Sequence, residues 1–343
     1  MAIKQKPEVV VITGASAGVG RATVREFAQQ GAHIGLLARD RERLEETRRE
    51  VEAMGGRALV VPTDVADYDE VDAAAQAVEE EFGPIDIWVN NAMTAVFSPV
   101  VQMEPEEYRR VTEVTYLGQV HGALAALKRM LPRDRGTIVF VGSALAYRGI
   151  PLQSSYCAAK HAVEGFFDSL RTELIHDGSN VHVTHVSLPG LNTPQFQWVK
   201  SRMPNEPQPV PPFFQPEVAA QAIYWAAHHR RVRLSVARNT VLVVLLNKLF
   251  PGAGDWYLAR TGYLGQQTPT PVRPNRPSNL FETVPGDYGA HGPFDDRAKT
   301  WSGQWWLTTH RGAVAVGAAA VASAVGALLF WQKRRQKRTI ERV

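Results

Sequence analysis

The chain has 343 residues, 45% hydrophobic and 21% charged, which is enough apolar material for one large α/β domain or two small ones. Its formal net charge is +4, and much of the excess lies in one terminal cluster (Lys333, Arg334, Arg335, Lys337, Arg338), so the balance does not argue for a nucleic-acid-binding face. The single cysteine, Cys157, excludes an internal disulfide framework and any multi-cysteine metal site, and none of the ten histidines has partners at ligand spacing, so no metal is expected.

Residues 9–12 are a continuous β-branched run, as expected for a strand buried on both faces. A glycine-rich turn follows, then a helix predicted over 21–30 that stops at Gly31. Further strands are predicted at 33–38, 58–62, 85–89, 137–141 and 181–188, and helices at 40–54, 68–82, 105–130 and 156–176. Strands alternating with helices at this spacing call for a parallel sheet covered on both faces, a doubly wound α/β fold.

Beyond about residue 190 the alternation stops. The proline-rich stretch 204–216 reads as a loop crossing the ligand side of the sheet, and 240–250 is strongly apolar. That second run is too short to span a bilayer, so it is either a core element or an interfacial one. Prolines and glycines recur without period over 268–297, the pattern of an extended linker. The expected boundaries are a catalytic domain over 1–265, a linker over 266–311, a membrane-spanning or membrane-associated helix over 312–331 and a basic tail over 332–343.

Residues 312–331 contain no charge, and twenty helical residues span about 30 Å, the thickness of the hydrocarbon layer. Trp301, Trp305, Trp306 and Trp331 flank the run as interfacial aromatics would. The basic cluster after it favours the cytosolic side, yet the N-terminus lacks a signal peptide, which favours a cytosolic catalytic part. A half-inserted helix with the cluster on anionic lipid satisfies both. The expected location is therefore membrane-associated, with the catalytic domain in the cytoplasm.

Between the first strand and first helix runs Thr13-Gly14-Ala15-Ser16-Ala17-Gly18-Val19-Gly20. Its glycines permit a tight turn and close backbone approach to a pyrophosphate, which the helix N-terminus then attracts. Tyr156 and Lys160 are one helical turn apart on a shared face. A neighbouring ammonium is expected to lower the tyrosine pKa and fit it for proton exchange with an alcohol.

The glycine turn with Tyr156-x-x-x-Lys160 resembles the short-chain dehydrogenase/reductase family, and Asp64-Val65, Asn90-Asn91-Ala92, Ser143 and Pro189-Gly190 fall in that family's order. The likeness covers roughly residues 7–245. It implies a Rossmann-type domain with a seven-stranded parallel sheet, and hydride transfer between a nicotinamide cofactor and a carbonyl or alcohol. By resemblance Ser143, Tyr156 and Lys160 are catalytic, with Ser143 bonding the substrate oxygen and Lys160 also holding the nicotinamide ribose. Gly14, Ser16, Gly18, Gly20, Asn91, Tyr156, Lys160, Pro189, Gly190 and Thr193 fall at its cofactor positions, and Asp64 at its adenine contact. The family's dimer helices correspond to 105–130 and 156–176, which implies a homodimer or homotetramer.

At the end of the second strand, NAD-specific members of the family carry an acidic residue. Here Ala38 stands there, followed by Arg39, with Arg43 close behind. An arginine can pair with the 2′-phosphate, so the expected cofactor is NADP(H). Three positions depart from the family pattern: Met93 replaces a glycine, Thr115 replaces the asparagine of the proton relay, and Thr193 comes one residue early. Phe196, Trp198, Phe213, Phe214, Tyr224 and Trp225 either cap an apolar substrate site or simply pack a loop. An NADP(H)-binding sensor without turnover, or a membrane-tethered scaffold, is the alternative reading.

Overall fold

The computed structural model describes residues 6–312 together with 314, 316, 317, 319, 323, 325, 330 and 331. The chain divides into two compact units, Met1–Ser302 and Gly303–Val343. In the first, short apolar runs form strands Val9–Thr13 (β1), His33–Ala38 (β2), Arg57–Pro62 (β3), Ile87–Asn90 (β4), Thr137–Ser143 (β5), His182–Leu188 (β6) and Arg233–Ser235 (β7). They make one seven-stranded sheet in the order β7-β6-β5-β4-β1-β2-β3, with every neighbouring pair parallel. The order reverses between β1 and β4, and the crevice at the carboxyl ends of those two strands is where such sheets bind ligands.

Helices Gly18–Gln29 (α1), Arg41–Ala53 (α2), Tyr68–Phe82 (α3), Pro105–Thr112 (α4), Gly118–Met130 (α5) and Ser154–His176 (α6) connect the strands up to β6. Val71 and Val78 of α3, Ala123 and Leu127 of α5, and Val163 and Phe167 of α6 share one buried cluster with Val9, Trp88 and Phe140 of the sheet. Ala22 of α1 packs with Ala220 of a further helix, Pro216–His228 (α7). The fold is thus the doubly wound α/β arrangement that the alternation predicts.

Three features differ from the sequence reading. The helix expected over 105–130 is interrupted by a π-turn at Glu113–Leu117. There the Thr115 hydroxyl donates to the Thr94 carbonyl at 2.8 Å and accepts from the Thr94 N–H at 3.0 Å. Thr115 is fully buried in this role and fastens the segment after β4 to the turn.

Second, the apolar run 240–250 lies in a helix, Arg238–Leu249 (α8), followed by Pro251–Thr261 (α9). Only Thr240 of α8 is buried, and no residue of α9 is, so the run is not a core element.

Third, the segment read as an extended linker is packed on the domain, and the first unit runs to Ser302 rather than 265. Gln267–Pro271 pairs antiparallel with Asn205–Pro207, and Leu280, Val284, Ala290 and Phe294 are buried. Scattered prolines and glycines rule out a regular period but not tertiary packing. In the second unit, Gly303–Thr309 is helical. Much of the expected membrane helix over 312–331, and all of the basic tail over 332–343, lies outside the described residues. Among those described, no helix is long and apolar enough to cross a membrane.

Candidate active site

The turn after β1 meets the end of β4 at the switch point. Gly14 and Gly18 have φ of +68° and +57°, a region in which side chains other than glycine's are strained. Gly20 is needed for space, since a Cβ there would lie 2.0 Å from the Gly14 carbonyl oxygen. Asn91 holds the turn by donating from Nδ2 to the Thr13 carbonyl at 3.0 Å, while its own N–H donates to the Thr13 hydroxyl at 2.9 Å. Ala17 precedes α1 without a side-chain cap, so apart from the Gly18 N–H, which the Gly289 carbonyl takes, the first turn is left to an anion.

A cavity of about 780 Å³ runs along the carboxyl ends of the strands. Gly14, Ser16, Gly18, Arg39, Asp64 and Asn91 line one part of it, and Ser143, Tyr156, Lys160, Pro189, Gly190 and Thr193 line another. Of the sequence-predicted site residues only Gly20 is absent from the wall, because it supports the turn from beneath.

Ser143 ends β5, and its hydroxyl accepts from the Leu145 N–H at 3.1 Å. Tyr156 lies in the first turn of α6, with Lys160 Nζ 5.7 Å from its ring centroid. Lys160 is almost wholly buried and donates to the Val141 carbonyl at 2.7 Å. Burial lowers its pKa to about 7. Burial also pushes the Tyr156 phenol up, against a smaller lowering by its hydrogen bond to Ser143. The structure thus corrects the expectation that the ammonium brings the tyrosine down, because desolvation dominates and the phenol is held protonated.

The lysine has a measurable consequence for stability. Below about 7 it is charged in both folded and unfolded chains. Between that point and the ordinary lysine value of about 10.4 the folded chain binds fewer protons, so its stability rises with pH. Urea unfolding of wild type and Lys160→Met across pH 6–10 should therefore show wild type gaining on the variant as pH rises. A constant difference would mean that Lys160 is not desolvated.

Three arginines gather near the ends of β2 and β3, and two of them, Arg39 and Arg43, line the cavity. Arg39 donates to the carbonyls of Phe281 and Asn279 at 2.6 and 2.5 Å. Arg43 bonds Asp40 and the Val284 carbonyl, and Arg110 pairs with Asp64 and donates to the Leu280 carbonyl. Burial and the neighbouring Arg110 lower the Arg39 pKa, which is the mark of crowded positive charge.

The segment over 279–299 is the functional element that sequence reasoning missed. Besides holding these arginines, it places Asp287 against the buried Arg21, and the Gly289 carbonyl accepts from the Gly18 N–H at 3.1 Å. Farther on, the Phe294 N–H donates to Asn192 Oδ1 at 3.0 Å. It therefore forms a strap from the arginines to the loop after β6, with Asn279, Leu280 and Thr283 on the cavity wall. Of the aromatic candidates, Phe196 and Trp198 line the cavity. Phe213 and Phe214 are buried outside the cavity wall, Tyr224 packs on Phe27, and Trp225 stacks on His229. Those four do not line the cavity: Tyr224 and Trp225 on α7 pack on α1 and on the helix's own C-terminal end, and Phe213 and Phe214 are buried in the loop before it.

The short chain dehydrogenase family model matches residues 8–203, more than half of the chain. The chain belongs to the short-chain dehydrogenase family. An uncharacterised oxidoreductase of Bacillus subtilis, YxnA, is 32% identical over 281 residues, 81% of this chain and 79% of its own length. A fatty acyl-CoA reductase of Acinetobacter baylyi is 27% identical over 292 residues, 82% of this chain and 95% of its own. Among solved structures, a metagenomic short-chain oxidoreductase in complex with NADP is similar with a TM-score of 0.55 and 27% identity, covering 66% of this chain and 96% of its own. As a short-chain dehydrogenase the protein is an oxidoreductase, and its seven-stranded Rossmann-type domain is the family's fold.

Proposed function

We propose that this short-chain dehydrogenase is an NADP(H)-dependent reductase of apolar carbonyl compounds, with Tyr156 as its acid/base. The observation that carries the reading is the setting of Tyr156. It packs with Met93 and Phe196 against a buried apolar cluster of Ala95, Phe97, Leu152, Val199 and Met203, on the same cavity that the glycine turn and Arg39 line. An apolar wall beside a proton donor suits a carbonyl on a hydrocarbon chain. The fatty acyl-CoA reductase among the relatives supports the same class.

The residues present fit the cofactor. The uncapped N-terminus of α1 and the glycine turn suit a pyrophosphate, and the arginine cluster at Arg39 suits a 2′-phosphate. NADPH, when bound, supplies the hydride. Ser143 orients the substrate oxygen, and Tyr156 gives its proton to the alkoxide that forms there, a far stronger base than the phenolate left behind. Lys160 then stabilises that phenolate from the same helix face. The tail over 312–331 would hold the enzyme on a membrane with its catalytic domain in the cytoplasm, and α4–α6 would form the interface of a homodimer or homotetramer.

The test is NADPH oxidation with long-chain aldehydes and ketones beside small polar ketones. Turnover of the long-chain compounds is expected, and turnover confined to small polar ketones would overturn the apolar assignment. The strap adds a second expectation. Removing its ion pair to Arg21 by Asp287→Ala should speed NADPH dissociation by about two- to fivefold, the equivalent of one partly exposed pair. Stopped-flow displacement measures this rate, and an unchanged rate would mean that the segment does not retain the cofactor.

A further inference from the structure

The apolar helix α8, with α9 after it, is a sequence feature that the core does not use. Val243 and Leu246 of α8, and Phe250 just after it, line the cavity, while Leu242, Leu245 and Leu249 lie outside its wall. Those three follow a three- and four-residue spacing, which puts them on one helix face. They are 42%, 50% and 59% exposed, and Trp256 on α9 is 61% exposed. A helix that is apolar all round is ordinarily buried, so this exposure needs a partner.

The charges around the patch say which kind. Arg238, Lys248 and Arg260 are exposed on the pair, and its one acid, Asp255, is paired with Arg148. Arg260 lies over the Trp256 ring at 3.5 Å, an arrangement of cation and indole suited to a headgroup layer. The pair is anchored to the site through Asn247, which donates to the Tyr147 carbonyl at 2.8 Å and accepts from Arg148 at 3.0 Å. An apolar surface with a cationic, aromatic rim fits an anionic bilayer surface.

We infer that α8–α9 docks on an anionic lipid bilayer and that the cavity takes its substrate from that bilayer past Leu246, Phe250 and Tyr257. The substrate half of this inference rests on the apolar-carbonyl reading above, whereas the docking half does not. Docking here is independent of any anchor over 312–331, since it immerses the mouth of the cavity itself.

The test uses the full chain with an environment-sensitive dye on Leu249→Cys, on Leu245→Cys as a second site, and on Ala73→Cys of α3 as the control. The native Cys157 is buried. Vesicles of phosphatidylcholine with phosphatidylglycerol should shift the emission at 249 and 245 to the blue and raise it severalfold. The control should be unmoved, and phosphatidylcholine alone should give a weaker response. No shift at either site while the chain floats with the vesicles would overturn docking and leave the tail as sole anchor. A shift that grows with protein concentration in the absence of vesicles would overturn it in favour of a second copy of this chain. The dye responds whether or not a carbonyl is reduced, so loss of turnover and loss of docking are separate results.

Discussion

Replacing Tyr156 by phenylalanine is expected to cut kcat by roughly a thousandfold, the scale of a positioned general acid, with NADPH binding retained. The substitution removes one oxygen and keeps the ring, which is packed beside Met93 and Phe196. It therefore separates proton transfer from the shape of the cavity. In the folded chain the phenol is held protonated by burial and hydrogen-bonded to Ser143, whose hydroxyl also accepts from the Leu145 N–H. Lys160, on the same helix face, is engaged by the Val141 carbonyl. Pre-steady-state and steady-state rates of NADPH oxidation read the effect. A variant within tenfold of wild type would mean that another group supplies the proton.

Arg39→Ala is expected to lower the preference for NADPH over NADH by about 10- to 100-fold, chiefly through a weaker NADPH complex. That range corresponds to one charge-assisted hydrogen bond of about 1.5–3 kcal/mol. A guanidinium has five N–H donors, and two nitrogens of Arg39 already bond the Phe281 and Asn279 carbonyls, which fixes its plane and leaves donors for a phosphate. Burial, and after it the neighbouring Arg110 and Arg43, disfavour its charge against the opposing Asp64 and Asp40, so a 2′-phosphate adds a countercharge that a 2′-hydroxyl cannot. The ratio of kcat/KM for the two cofactors measures this, and an unchanged ratio would place the discrimination elsewhere in the arginine cluster.

What could be read from the sequence was what is local. The strands announce themselves as contiguous apolar runs, and the glycine turn, Tyr156 with Lys160, and Arg39 each lie within a few residues of the element that positions them. What could not be read depends on contacts between distant segments. Arg39 is fastened by a carbonyl 242 positions later, in a stretch whose prolines and glycines leave no period to follow. The tyrosine shift was missed because a sequence shows that Lys160 is near but not that both groups are desolvated, and burial outweighs the pair. Composition likewise left six aromatics open between capping the site and packing a loop, and of these Phe196 and Trp198 line the cavity. Thr115 shows the same limit, since its hydroxyl is committed to both backbone groups of Thr94 within a π-turn.

The central claim is that this cavity passes a hydride to a carbonyl carbon and a proton from Tyr156 to its oxygen. It is tested most directly with NADPH deuterated at the transferred position and a long-chain aldehyde, followed by mass analysis of the alcohol. One deuterium on the carbinol carbon with wild type, formed roughly a thousandfold more slowly with Tyr156→Phe, is the predicted result. Tight NADPH binding with no deuterium transfer to any carbonyl offered would contradict it and make the chain a binder of its cofactor rather than a reductase.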